Sequence, residues 1–331
     1  MNPHIVVIGG GTGTYTVLTG LKKYKAKLSA IVSMMDSGGS NRILRDEFGL
    51  LPTSDIRQCM IALADEKQNE LLRNLFTYRF SQGVGISGMT FGNLFMAALT
   101  DMYGSQKKAI AETCKLLGIT GSIIPVTYDN VHLIARYANG KEILGEHFID
   151  EPPANNGKLV ELSTVPRADI SEEARSTILN ADVIVLGPGD LFTSTIANLV
   201  VHGVRDAIMQ SHAKVFYIVN LMTKHGQTDG FSAKNHIETI SKYIGKTPDL
   251  SFVQKSFSLS AELKKRYDEE SATVVQSDLK NSKIRFIEGD YMSARTIEKQ
   301  KGDTLVRSLV RHDSQKLAEA IMKQLQKKGS L

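Results

Sequence analysis

The chain has 331 residues, with 40 Lys and Arg against 35 Asp and Glu for a formal net charge of +5, and it is 42% hydrophobic and 23% charged. That length and composition suit a soluble globular protein that needs no staple to fold, and two cysteines, Cys59 and Cys114, make neither a disulfide framework nor a zinc pattern. No apolar run approaches the roughly 20 residues of a membrane-spanning helix. Met1-Asn2-Pro3-His4 leads straight into a short apolar run without the features of a secretory signal, so the expectation is a reduced, cytoplasmic protein.

Ile5-Val6-Val7-Ile8 is a β-branched run closed by Gly9-Gly10-Gly11, a buried strand entering a turn. A helix follows with Val17, Leu18 and Leu21 on its buried face, then a second strand from Leu28 to Met34, together a parallel βαβ crossover. Ser54 or Asp55 opens a helix, Leu71, Leu72, Leu75 and Phe76 mark another, and Thr90 caps a third from Phe91 through Met102. In that third helix Phe91, Leu94, Phe95 and Ala98 form a stripe expected to face the core. Val131–Ala138 and Lys141–Phe148 flank Asn139-Gly140, a tight hairpin signal. Pro152-Pro153-Ala154-Asn155-Asn156-Gly157 reads as a surface loop.

Regular alternation resumes with a Ser171-capped helix, a strand from Asp182 to Leu186, the turn Gly187-Pro188-Gly189-Asp190, and a helix from about Leu191. A strand from Val215 to Val219, a helix over Ala233–Ile244, a strand near Leu250–Val253 and a terminal helix from about Ser314 complete the pattern. The whole reads as one α/β domain over residues 1–331, with a hairpin-containing insertion near 122–165. The basic clusters Lys22-Lys23-Tyr24-Lys25, Lys264-Lys265-Arg266 and Lys327-Lys328 sit late in helices or at the chain end, where solvated cations complement a helix dipole. No nucleic-acid module accompanies them, so nucleic acid is not an expected partner.

Three polar turns follow three of the expected strands: Gly9 to Thr14, Met35 to Ser40, and Gly187 to Asp190. If the strands are parallel, all three lie on the edge where open α/β sheets bind ligands. Glycines allow close backbone approach, and amides at a helix start attract phosphate. Gly10, Gly11, Thr12 and Gly13 are the candidate diphosphate cradle, although Thr14 departs from the GxGxxG spacing. Asp36 sits where dinucleotide folds place a ribose-binding carboxylate, yet an Asp before Ser37-Gly38-Gly39-Ser40 also serves a turn. Arg45 and Arg57 are phosphate ligands or ion-pair partners of Asp46, Glu47 or Asp55. Asn93 faces cleft or solvent, and Gly187, Pro188 and Gly189 form a cleft wall with Ser194 donating from the next helix. Asn220, Thr223, Arg311 and His312 have local backbone or capping roles as their alternative. Asp36, Asp55 and Asp190 are conceivable magnesium partners only together with phosphates, so no protein-only metal site is expected, and no nucleophile elbow appears.

Taken in order, Ile5 to Gly13, Asp36 to Ser40, Leu44 to Phe48, Asp55-Ile56-Arg57, Gly92-Asn93-Leu94, Gly187 to Ser194, Asn220 to Thr223 and Val310 to Asp313 resemble the gluconeogenesis factor family (YvcK-like), within the phospholactate transferase (CofD-like) superfamily. The resemblance implies a Rossmann-like three-layer fold with a mainly parallel sheet and a β-hairpin insertion. It implies a cleft for a UDP-sugar such as UDP-N-acetylglucosamine, or for a dinucleotide such as NAD(P), built from the glycine turns with Asp36, Arg45, Asp55 and Asn93. It also implies a regulatory, non-catalytic protein of bacterial cell shape and cell-wall synthesis, with cell-wall or regulatory protein partners and a homo-oligomeric state. The alternative is a magnesium-dependent transfer of a phospholactyl group from a nucleotide-linked donor onto a deazaflavin. A dehydrogenase fits less well, for want of a hydride-transfer constellation. The chain departs from the family pattern at Asn41-Arg42-Ile43, at Thr53-Ser54 before Asp55, and at Met89, which stands where the family has histidine.

Overall fold

Every residue of His4–Ile8 is buried, with Val6 and Ile8 in one hydrophobic core and Ile5 and Val7 in another. That alternation belongs to a strand covered on both faces. In the computed structural model, which describes residues 2–65, 70–152, 156–294 and 308–326, this segment is β1 of a seven-stranded sheet. The remaining strands in chain order are β2 (Lys27–Val32), β3 (Ser122–Pro125), β4 (His132–Tyr137), β5 (Glu142–Leu144), β6 (Leu159–Val165), β7 (Val183–Leu186), β8 (Lys214–Ile218), β9 (Leu250–Gln254) and β10 (Phe286–Gly289). The main sheet runs β10-β9-β8-β7-β1-β2-β3 with every pairing parallel. The chain builds outward from β1 through β2 to β3, then returns to β7 on the other side of β1. Strand order therefore reverses at the β7/β1 boundary, where a ligand crevice opens beyond the carboxyl ends.

Helices cover both faces, giving the expected Rossmann-like three-layer arrangement. Gly11–Leu21, Ser54–Leu63 and Ser314–Gln326 pack on the face of Ile5 and Val7. Glu172–Leu179, Val204–Gln210 and Ala233–Ile244 cover the face of Val6 and Ile8. The helix expected from Leu191 opens as a π-helix, Leu191–Ile196, before Ala197–Leu199. Among the described residues no helix is long and apolar enough to cross a membrane.

Between β3 and β7 lies a three-stranded antiparallel sheet, β5-β4-β6, whose Leu133, Ala135, Tyr137 and Leu162 join the core of Val6 and Ile8. Asn139-Gly140 turns the hairpin as expected, with Gly140 at φ +82° and Asn139 Oδ1 accepting from Lys141 N at 3.0 Å. The expected second strand to Phe148 is corrected: it ends at Leu144, because Gly145 at φ +99° redirects the chain into a short helix, Glu146–Asp150. The expected stripe on Phe91–Tyr103 holds for Phe91 and Phe95, which pack half-buried against the core of Ile5 and Val7, and for Leu94 beside Leu44, and is corrected at Ala98, which is exposed. Gly92, Asn93, Met96, Ala97 and Thr100 are the buried positions of that helix. Of the expected surface loop, residues 153–155 lie outside the described residues, and Asn156 is buried with its side-chain oxygen accepting from Lys141 Nζ at 2.7 Å. Lys327-Lys328 also lies outside the described residues.

Candidate functional site

The glycine turn after β1 leads directly into the helix Gly11–Leu21, with Gly10 extended at the N-cap and Gly11 at φ +58°. Gly10 has no side chain with which to cap this helix start and the first turn holds no acidic residue, while the Asp55 carboxylate lies beside Gly10 and Gly11. Gly13 packs so closely under the Pro188 carbonyl that a Cβ would overlap it. A Cβ on Gly10 would overlap the Asp55 carboxylate and lie 3.7 Å from Ser194 Cα. The first and third turns thus interlock, backbone against backbone, at the switch point. Asn220 secures this arrangement from the end of β8, donating through Nδ2 to the Gly189 carbonyl at 2.6 Å.

The second turn is organised by Asp36. Its Oδ1 accepts from Gly38 N at 2.8 Å and its Oδ2 from Asn41 Nδ2 at 2.5 Å. Asn41 Oδ1 accepts from Ser54 Oγ at 2.9 Å, Asn93 Nδ2 donates to Ser54 Oγ at 3.3 Å, and Arg57 Nε donates to Asn93 Oδ1 at 3.0 Å. A polar chain therefore runs from the buried Arg57 to Asp36. Arg57 also donates to the Phe76 carbonyl at 3.1 Å, so it braces the interior and does not face the edge.

Glu146–Asp150 spans the opening between the second and third turns. At one end Ser37 N donates to Glu146 Oε2 at 3.3 Å, and His147 N donates to Ser37 Oγ at 3.0 Å. At the other, Asp150 Oδ1 accepts from Thr193 Oγ1 at 2.8 Å and Gln227 Nε2 at 3.1 Å, and pairs with Lys224 Nζ at 2.7 Å. Lys224 Nζ lies 2.8 Å from Asp190 Oδ2 as well. Because β1 lies between β2 and β7, this short helix is a strap across the edge that carries the first glycine turn.

Burial, then repulsion from Asp36 and Asp150, pushes the Glu146 carboxyl well above its usual range. Burial also raises Asp36, against the hydrogen bonds from Gly38 and Asn41. Burial works against the charge of Asp150 too, but Lys224 outweighs it and holds that carboxyl below its usual value. Asp190 is raised by burial despite Lys224, while the two carboxylates raise Lys224 against its own burial.

The structure brings Gly10, Gly11, Gly13, Asp55, Gly187, Pro188, Gly189 and Ser194 together, with Asp36, Ser37, Gly38 and Asn220 adjoining. Thr12 lies in the same first helical turn, its carbonyl accepting from Thr16 Oγ1 at 2.9 Å. Gly39 and Ser40 begin the helix Gly39–Phe48. Arg45 is turned toward the insertion, donating to Asn130 Oδ1 at 2.7 Å and the Val131 carbonyl at 3.0 Å. Thr223 pairs with Thr273, its amide donating to that carbonyl at 2.7 Å, and Arg311 Nε donates to the Ser308 carbonyl at 3.1 Å. His312 bonds the Val219 backbone, and burial brings its imidazole down to about 4. Met89, 1% exposed, packs with Leu44 and Ala97. Asn41, Glu146, Asp150, Thr193, Lys224 and Gln227 were not nominated from sequence. Among the described residues no group of three or more His, Cys, Asp or Glu side chains is arranged to hold a metal. A cavity of about 850 Å³ opens beside the strap's partners, lined by Leu159, Phe192, Gln227, Phe231 and Tyr243 but by none of the glycine turns.

Fold and site define a Rossmann-like α/β protein with a glycine-lined edge at its topological switch point. The family model for 2-phospho-L-lactate transferase CofD matches residues 5–292. A gluconeogenesis-factor homologue of Aquifex aeolicus is 42% identical over 329 residues, covering 98% of this chain and 97% of its own. The gluconeogenesis factor of Bacillus subtilis is 32% identical over 320 residues, 97% of each chain. A crystal structure of a UPF0052 family protein from Bacillus halodurans superposes with a TM-score of 0.86 at 33% identity, covering 97% of this chain and 99% of the other. The chain belongs to the CofD family and, within it, to the gluconeogenesis-factor group.

Proposed function

We propose that the protein binds a nucleotide-type ligand, a UDP-sugar or a dinucleotide such as NAD(P), and acts as a regulator, not as an enzyme. The observation that carries this reading is the interlock of Gly10 and Gly13 with Pro188 and Gly189, beside an uncapped helix start at the β7/β1 switch point. Such an edge offers backbone amides to a diphosphate at almost no steric cost. In this reading Asp36, whose oxygens already accept from Gly38 and Asn41, would use its remaining lone pairs to accept from ribose or sugar hydroxyls. Occupancy regulates only if the ligand binds two arrangements of the protein with different affinity, and the strap Glu146–Asp150 is the element that would differ. Action in the cytoplasm through cell-wall or regulatory protein partners, a link to cell shape, and assembly as a homo-oligomer belong to the same proposal. The gluconeogenesis-factor name of the relatives supports it.

The family match also favours a second reading, phospholactate-type transfer with magnesium. The carboxylates available do not fit a protein-only metal centre, since Asp36 is engaged by Gly38 and Asn41, and Asp150 and Asp190 share Lys224. Any magnesium would have to arrive with the ligand's phosphates. Calorimetry with UDP-N-acetylglucosamine, other UDP-sugars and NAD(P) tests the first reading, and heat from none of them refutes it. Magnesium-dependent release of a nucleoside monophosphate from a nucleotide-linked donor would favour the second.

A further inference from the structure

We infer that Lys224 is the side-chain cation for the ligand's phosphates, held in reserve between Asp150 and Asp190 until the anion arrives. This rests on the nucleotide reading above and names the residue that meets the charge. Of the three arginines nominated from sequence, Arg57 donates to Asn93 and Phe76, Arg311 to the Ser308 carbonyl, and Arg45 through Nη2 to Asn130 and Val131. Lys224 is instead one residue removed from the interlocked turns. Its Nζ lies 2.8 Å from Asp190, which directly follows Gly189, and a Cβ on Gly189 would stand 3.7 Å from the Gly10 carbonyl.

The triad holds two carboxylates and one ammonium, so it carries excess negative charge beside an anion cradle. A phosphate approaching that cradle is repelled unless the ammonium turns toward it. The geometry allows the exchange. The Lys224 side chain is 28% exposed and its ammonium rides on a flexible four-carbon stem. Asp150 is not stranded when the lysine leaves, because Thr193 Oγ1 and Gln227 Nε2 still donate to it. Loss of the Lys224 link would leave Thr193 and Gln227 as the contacts at that end of the strap, weakening it and coupling ligand entry to the insertion.

Competition makes a prediction that a purely structural brace does not: breaking the ion pair from its two sides has opposite effects on affinity. Calorimetry with inorganic pyrophosphate and with UDP should show Lys224→Met binding roughly ten- to a hundredfold weaker than wild type, the size of a lost hydrogen bond to a charged group. Asp150→Asn, which neutralises the competitor, should bind more tightly than wild type. Lys224→Gln keeps a donor for Asp150 while removing the charge; it should bind as weakly as Lys224→Met, with circular dichroism confirming that it is folded. Weaker binding by Asp150→Asn, or affinity of Lys224→Gln within about twofold of wild type, overturns the inference while leaving the nucleotide reading intact. Wild type that binds neither probe overturns the inference, whereas the nucleotide reading falls only if UDP-sugars and NAD(P) also give no heat.

Discussion

Replacing Gly13 with alanine sets two effects against each other, and the structure decides which wins. Alanine is the better helix former by about 1 kcal/mol, which favours the variant. Against it, the new Cβ would overlap the Pro188 carbonyl and lie 3.1 Å from Gly189 N. Restoring ordinary contact requires the third turn to retreat by about 2 Å. Overpacking of this kind costs about 1–3 kcal/mol. The retreat also breaks the Asn220–Gly189 bond at 2.6 Å and the Gly187 N–Ile8 O bond at 3.0 Å, each contributing about 1 kcal/mol. The expected net loss is about 2–4 kcal/mol, read as a lower midpoint in urea unfolding followed by circular dichroism. Affinity for UDP should fall with it, since the cradle is pried open. Gly39→Ala is the comparison: Gly39 sits at φ +50° with no neighbour within 4 Å of a Cβ, so only backbone strain of about 1–2 kcal/mol applies. A Gly13→Ala protein as stable as wild type, or losing no more than Gly39→Ala, would refute the interlock as a structural constraint.

Asn93→Leu should cost about 1–3 kcal/mol in urea unfolding, because Arg57 Nε loses its acceptor inside the protein; a loss below about 0.5 kcal/mol would count against the polar chain. Glu146 yields a pH prediction. Burial holds its folded pKa well above the usual 4.5, so the folded state binds more protons and Glu146's contribution fades as pH rises from about 4.5 through the folded value. Glu146→Gln, a neutral mimic, should match wild type near the lower end of that window and become the more stable protein above it. A stability difference independent of pH would contradict the strap's buried carboxylates. Cys59 and Cys114 are both raised by burial, Cys114 to about 12, so alkylation of the folded protein at neutral pH should be slow and should accelerate on unfolding; rapid labelling of native protein would dispute their burial.

The first βαβ unit was legible because its signals are local. A β-branched run, a glycine turn and an apolar helical face lie within about 30 residues. Ala233–Ile244 was legible for the same reason, opening on a Ser232–Asn235 capping box and closing at Gly245. β3 was not, since Ser122–Pro125 is only four residues long and ends on proline. The helix Gly39–Phe48 was hidden by its opening glycines, which read as a turn. The site divides the same way. Glycines and Asp36 announce themselves by position after a strand, whereas Ser37 and Glu146 meet across 109 residues of chain. The arginines misled because a guanidinium can be satisfied by carbonyls and amides, and nothing in the local sequence records which partner it takes.

The strap is carried on a hairpin, and that has a consequence for how members of such a fold can diverge. In the proposed reading an anion would be gripped by main chain, and Gly10 and Gly13 accept no side chain without displacing a neighbour. What covers it is an appendage of ordinary side chains whose far tip, Asn139-Gly140, is exposed. The grip and the cover are thus written in separate stretches of sequence. Substitution in the hairpin would then retune which molecule is admitted, or how readily it leaves, while the glycine turns at the sheet's edge stay as they are.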